Sequence, residues 1–142
     1  MNNKIIYIDL QQAIELHSWI IERTDGVNKI QDYSHLENIL LQVKSEDITE
    51  FNDKLTQLVF AINESHKLIE DSKRLSIALG CYFLELNGYD YVVHYFATEM
   101  ENIVVWLANK RIDRDLLAEI IESLIDEEDY SEELKLKIAI AF

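Results

Sequence analysis

The absence of proline and the presence of only three glycines in 142 residues constrain this chain more than any other feature. Proline removes a backbone donor and glycine loosens the chain, so a sequence nearly free of both can run in long unbroken helices. Apolar residues recur at three- and four-residue spacing nearly throughout, which is the period of a helix that buries one face. These features predict an all-α protein, a compact helical bundle, and speak against a sheet architecture. The length and an apolar share of 49% suit one domain spanning residues 1–142 with a core of its own.

Asp9 is the expected N-cap of a first helix with Leu10, Ala13, Ile14, His17, Ile20 and Ile21 on one face, ending before an Asp25-Gly26 turn. Ile5 to Ile8 reads as a short extended lead-in. Ser34 followed by Glu37 has the form of a capping box that opens a second helix to about Val43, with Leu36, Ile39 and Leu40 inward. Residues 45–51 are polar and ambiguous. A third helix from about Asp53 to His66 carries the stripe Leu55, Leu58, Val59 and Ile62, and His66 takes the next place on it. The stretch from Ser72 to Gly88 is apolar almost all round, which predicts a buried helix at the centre of the bundle, stopped by Gly88 in the left-handed conformation. Tyr89 to Val93 reads as a brief extended link. Further helices are expected from about Ala97 to Ala108, from Asp113 as N-cap to about Ile125, and from Ser131 as N-cap onward.

Thirteen Lys and Arg against 27 Asp and Glu leave a net charge of -14. Such a chain repels phosphate backbones and anionic membranes and favours a basic partner. The run Asp126, Glu127, Glu128 and Asp129 reads as solvated surface. Apolar runs such as Ile103 to Ala108 are too short to cross a bilayer. The one cysteine, Cys81, lies in an apolar stretch and forms no internal disulfide, so the expectation is a cytoplasmic protein with Cys81 as a small core residue. His17, His35 and His94 share no short metal-ligand spacing with one another or with Cys81, which disfavours a zinc site. His17 reads as a core residue with one hydrogen bond. Aromatic residues such as Trp19, Tyr82, Phe83 and Phe96 read as core and groove lining. No glycine-rich phosphate loop and no Gly-x-Ser-x-Gly elbow occur, which removes Walker-type and hydrolase chemistry.

Base, acid and cation types converge in one place, His66-Lys67-Leu68-Ile69-Glu70-Asp71-Ser72-Lys73-Arg74. The start of the fourth helix offers unpaired backbone N–H groups and the positive end of a helix dipole, and Lys73 and Arg74 add two cations to its first turn. Basic residues there are unfavourable for the helix itself, a local conflict that a bound phosphate relieves. Glu70 or Asp71 can hold a magnesium ion against the same phosphates, and His66 can accept a proton from a hydroxyl. The same residues also read as a solvated helix–helix loop with a hydrogen-bonded histidine. Residue types alone leave both readings open.

The segment HKLIEDSKR, followed by LSIALGCYFLELNGY, resembles the Doc (death-on-curing) branch of the Fic/Doc family, whose signature runs H-x-F-x-D-x-N-K-R before a buried helix. The run Ala13-Ile14-Glu15-Leu16-His17 and the later GVNKIQDYSHLENIL also resemble Doc-like proteins, so the resemblance covers about Ile6 to Ile125. It implies the Fic/Doc helical fold, with His66 as the base that activates a target hydroxyl. It further implies Glu70 as the magnesium ligand, and Ser72, Lys73 and Arg74 as the residues that hold nucleotide phosphates. Leu68 takes the place of the motif phenylalanine, a hydrophobic anchor of the loop. Ser72 stands for the motif asparagine, Glu70 for aspartate, and Asp71 for a small residue.

Lysine rather than glycine at position 73 is the Doc form, associated with transfer of a terminal phosphate. The resemblance therefore implies a magnesium-dependent protein kinase of the toxin type, using ATP or another nucleoside triphosphate. Its protein substrate would be a translation elongation factor, and a cognate antitoxin would be its partner. A catalytically degenerate Doc-like binding module is the alternative, and a Fic-type adenylyltransferase ranks below both.

Overall fold

The computed structural model describes residues 4–24, 32–127 and 129–141. Its secondary structure is wholly helical: α1 (Leu10–Arg23), α2 (Ser34–Lys44), α3 (Phe51–Glu64), α4 (Ser72–Leu86), α5 (Asp90–Ala108), α6 (Arg114–Ile125) and α7 (Glu132–Ile140). The fold is a compact bundle in which α3 packs against α2, α4, α5 and α6, while α4 packs against α1, α3 and α5. The centre is thus a helix pair, α3 with α4, rather than α4 alone. The stripe Leu55, Leu58, Val59 and Ile62 of α3 meets Leu75, Leu79 and Phe83 of α4 in one buried core.

Side-chain caps set three of these seven helix starts. Asp9 caps α1, accepting the Gln12 amide at 2.8 Å while the Gln12 side chain accepts the Asp9 amide at 3.0 Å, a reciprocal pair that satisfies two otherwise orphan donors. Asp113 and Ser131 cap α6 and α7 in a simpler, one-sided way, accepting the amides of Leu116 and Leu134. Gly88 stops α4 with φ 83. The Asp25-Gly26 turn lies outside the described residues.

Three boundaries differ from the sequence expectation. The N-cap of α2 is Tyr33, with no side-chain cap, so Ser34 and Glu37 form no capping box; the Ser34 amide instead donates to the Asp32 carboxylate at 2.9 Å. The helix starts one residue too early for the serine to reach back. No extended link occupies Tyr89 to Val93, because α5 begins at Asp90. Its Tyr and Val residues favour strands in isolation, yet Val92, Phe96, Met100 and Ile103 are all buried at helical spacing, and packing outweighs local propensity. Finally, α3 ends at Glu64, which leaves His66 off its stripe and exposed in the following turn.

Two polar devices fasten the periphery. Lys54 is buried on α3 and donates to the carbonyls of Val43 and Ser45 at 2.6 and 3.0 Å, satisfying the C-terminal end of α2. Asn87, at the end of α4, accepts the Ile6 amide at 2.8 Å and donates to the Ile6 carbonyl at 2.9 Å, so it pairs with the lead-in as a neighbouring strand would. Ile8 beside it is buried.

Helices α4 and α5 approach closely at Gly80, where a Cβ atom would lie 2.9 Å from Cε1 of the buried Phe96 ring on α5. Gly80→Ala is expected to lower stability by about 1–2 kcal/mol in a urea melt, in spite of alanine's better helix propensity. Phe96→Leu withdraws the ring edge, so the alanine should cost little in that background, as a double-mutant cycle will show.

Candidate functional site

The turn between α3 and α4 is held by its backbone before any side chain contributes. The Ser65 carbonyl accepts the amides of both Leu68 and Ile69 at 2.8 Å. This doubled turn rotates the chain so that Ile69 points inward, 5% exposed, while Leu68 is 63% exposed. The hydrophobic anchor of the loop is therefore Ile69, not Leu68 as the resemblance implies.

Residues from outside the turn fasten both of its ends. At the start, the Ser65 hydroxyl donates to the Ala61 carbonyl and is hydrogen-bonded to Nε2 of His35 on α2. At the end, Nε2 of His17 on α1 lies 2.8 Å from the Glu70 carbonyl. A carbonyl only accepts, so this nitrogen carries the hydrogen, and Nδ1 pairs with the Tyr33 hydroxyl at 3.2 Å. His17 is a core residue, as its place in the stripe predicts, but with two hydrogen bonds rather than one. The Thr24 hydroxyl adds a further tie, 2.9 Å from Oδ2 of Asp71.

Asp71 is the N-cap of α4 and adopts the left-handed conformation, φ 54 and ψ 39. A non-glycine residue there carries a strain of about 1 kcal/mol or more. Its carboxylate makes no cap hydrogen bond and faces Thr24 and Arg74 instead, the latter through an ion pair at 3.1 Å. The first-turn amides of α4 are thus left without a side-chain cap, beside the exposed cations Lys73 and Arg74. Ser72 is buried at the first helical position and is not the cap of α4. A second polar tie crosses to α3, where Asn63 donates to the Ser76 hydroxyl at 2.9 Å, and that hydroxyl donates to the Lys73 carbonyl at 2.8 Å.

A cleft of about 850 Å³ opens at this helix start. One wall carries His66, Asp71, Ser72, Lys73 and Arg74; the other is an apolar shelf that includes Ile77, Ala97 and Val104, with Glu101 beside it. The fold therefore brings His66, Ser72, Lys73 and Arg74 together around one cavity. Glu70 does not line it, and its backbone carbonyl is engaged by His17. Magnesium takes one or two carboxylates and completes its shell with water and phosphate oxygens. Asp71, which lines the cleft, fits such a phosphate-bridging ion and Glu70 does not, whereas no group of three or more His, Cys, Asp or Glu among the described residues could enclose a metal.

A second hollow of about 550 Å³ lies between α1 and α4, lined by Leu16, Trp19, Cys81 and Tyr82 among others, and it meets the first at Ala78. Trp19 and Tyr82 are groove residues, while Phe83 and Phe96 are core. Burial, and secondarily the charge of Glu85, pushes the Cys81 thiol up to about 11, which keeps it protonated and unreactive near neutral pH. No helix among the described residues is long and apolar enough to cross a membrane.

No family model, curated protein or solved structure matches this chain. The meaning of the cleft rests on the chemistry of its own residues and on the motif they spell.

Sequence reasoning named the residues on the cleft wall but missed what holds them. The tether from His17 had one signal: a titratable ring on an otherwise apolar stripe needs buried polar partners. Asp71 is the other unanticipated element, since it both strains the turn and occupies Arg74. Replacement Asp71→Asn removes one negative charge and the Arg74 ion pair while keeping an acceptor for Thr24 and a side chain that tolerates the left-handed conformation. It is expected to tighten ATP binding by up to about fivefold, the range open to a half-exposed ion pair, as calorimetric titration will measure.

Proposed function

We propose that this chain is a Doc-like phosphotransferase that moves the terminal phosphate of a nucleoside triphosphate such as ATP to a hydroxyl group of a protein substrate. The observation that carries this reading is that one cleft joins a potential base, His66, to two cations, Lys73 and Arg74, at a helix start whose amides have no side-chain cap. Phosphoryl transfer asks little covalent chemistry of a protein. It asks for a held phosphate, neutralised charge and an aligned hydroxyl.

In the proposed reaction the first-turn amides of α4, with Lys73 and Arg74, hold the oxygens of the terminal phosphate. The His66 imidazole accepts the proton of the target hydroxyl. The hydroxyl oxygen bonds to the terminal phosphorus, the bond from that phosphorus to the bridging oxygen breaks, and a nucleoside diphosphate leaves. Magnesium, when bound, neutralises charge on the phosphates, with Asp71 the carboxylate on the cleft wall and Glu70 its ligand by resemblance alone. The exposed position of His66, off the core stripe, suits this role: a base must reach a hydroxyl that arrives from solution.

The same resemblance extends the proposal to a cytoplasmic toxin–antitoxin pair with a translation elongation factor as substrate. The cognate antitoxin would be a basic or amphipathic segment suited to a chain of charge -14. A catalytically degenerate binding module is the second reading, favoured by the ion pair that already occupies Arg74. Adenylyl transfer ranks below both because Lys73 stands where that branch has glycine.

Incubation of the purified chain with magnesium, an elongation factor and ATP labelled at the gamma position should label the factor, whereas label at the alpha position should not transfer. His66→Ala is expected to slow transfer by about 10²-fold or more. Transfer that survives this change, or label arriving from the alpha position, would sink the kinase reading. No transfer together with no ATP-dependent thermal shift would leave the binding module.

A further inference from the structure

We infer that His17 is a positioning residue for the phosphate cradle, holding the Glu70 peptide so that the start of α4 faces the cleft. The inference rests on the phosphotransfer reading for its purpose and on geometry for its mechanism. His17 is 0% exposed on α1, in a buried stripe whose other members, Ala13, Ile20 and Ile21, are all apolar. A buried imidazole at such a place costs stability unless its nitrogens are bonded. Both are: Nε2–H donates to the Glu70 carbonyl at 2.8 Å, and Nδ1 pairs with the Tyr33 hydroxyl at 3.2 Å. The Tyr33 ring meets the imidazole edge-on, with ring centres 5.7 Å apart, so the ring plane is fixed as well.

The bond acts at a sensitive point. The Glu70 carbonyl belongs to the peptide plane whose rotation about the next N–Cα bond is φ of Asp71, the residue held left-handed at 54°. Fixing that carbonyl fixes the turn that feeds the chain into α4. Released, the plane can rotate and Asp71 can relax to negative φ. The amides of Ser72, Lys73 and Arg74 would then swing away from their present direction, and the two cations with them. His17 touches no part of the cleft itself, since it is absent from the residues that line it. Its effect is carried by the backbone of residues 70 and 71, and the tie from Thr24 to Asp71 holds the same corner from the end of α1.

The test separates shape from hydrogen bonding. His17→Phe keeps the ring and its volume but cannot donate to Glu70, whereas His17→Gln places an amide N–H near the former Nε2 position. Full-length wild type and both variants are compared by hydrogen–deuterium exchange of peptides covering residues 66–76 and by calorimetric titration with ATP and magnesium. In His17→Phe, exchange across that segment should rise about tenfold while α6 is unchanged, and ATP affinity should fall about tenfold. His17→Gln should bring both to within about threefold of wild type. Should His17→Phe not fold, His17→Asn, whose amide reaches only the Nδ1 position, takes its place against His17→Gln. Unchanged exchange in the variant that cannot donate would overturn the proposal, as would a His17→Gln that behaves no better than it. Wild type that binds no ATP would defeat the phosphotransfer reading instead, and the exchange comparison would still decide the role of His17.

Discussion

The architecture depends on how closely α4 can approach α5. Gly80 permits that approach, because the Phe96 ring occupies the space a side chain would need. With α5 drawn in, α4 is flanked by α1, α3 and α5, and its direction is fixed by its neighbours rather than by its own ends. The cleft follows from this packing. One of its walls is the first turn of α4 and the other includes Ala97 and Val104 of α5, so any change in the spacing of these helices alters the cavity before it touches the motif.

The first turn of α4 is, by local criteria, a poor helix start. Its N-cap is left-handed and makes no cap hydrogen bond, and Lys73 and Arg74 place positive charge at the positive end of the helix dipole. Those costs are offset elsewhere: the buried Leu75 and Leu79 anchor the helix, Ile69 pins the preceding turn, and histidines from α1 and α2 secure the turn's two ends. Local disfavour sustained by surrounding packing is a condition that functional sites tolerate, and the proposed phosphate-binding role would account for it here. Asp71 offsets part of the positive charge through the Arg74 ion pair, while the first-turn amides keep no side-chain cap.

Much of this was legible in the residues, and the failures have definite causes. The amphipathic stripes of α1, α3 and α6 could be read because burial on one face imposes a period, and Asp9, Asp113 and Ser131 because a capping side chain acts within its own turn. The start of α5 reads as extended at Tyr89 to Val93 because Tyr and Val favour strands, whereas Val92 is buried there in register with Phe96, Met100 and Ile103 of the same helix. In the site, the wall residues could be named from their types and the motif. The resemblance puts the anchor at Leu68 rather than at the buried Ile69, because the doubled turn on the Ser65 carbonyl sets which neighbour faces inward and leaves no composition signal. The tether from His17 spans 53 positions of sequence, beyond the reach of any local rule.

The pairing of Asn87 with Ile6 has a kinetic meaning as well as a structural one. Most contacts that define the bundle join helices adjacent or nearly so in sequence, such as α3 with α4 and α4 with α5, and such contacts need little loop closure. The Asn87 side chain instead closes a separation of 81 residues with two hydrogen bonds at the outer edge of the core. Closure of that length is entropically costly until the ends of the loop are already near each other. The contact is therefore expected to form late, on the native side of the folding barrier, so that its loss would speed unfolding more than it slows folding.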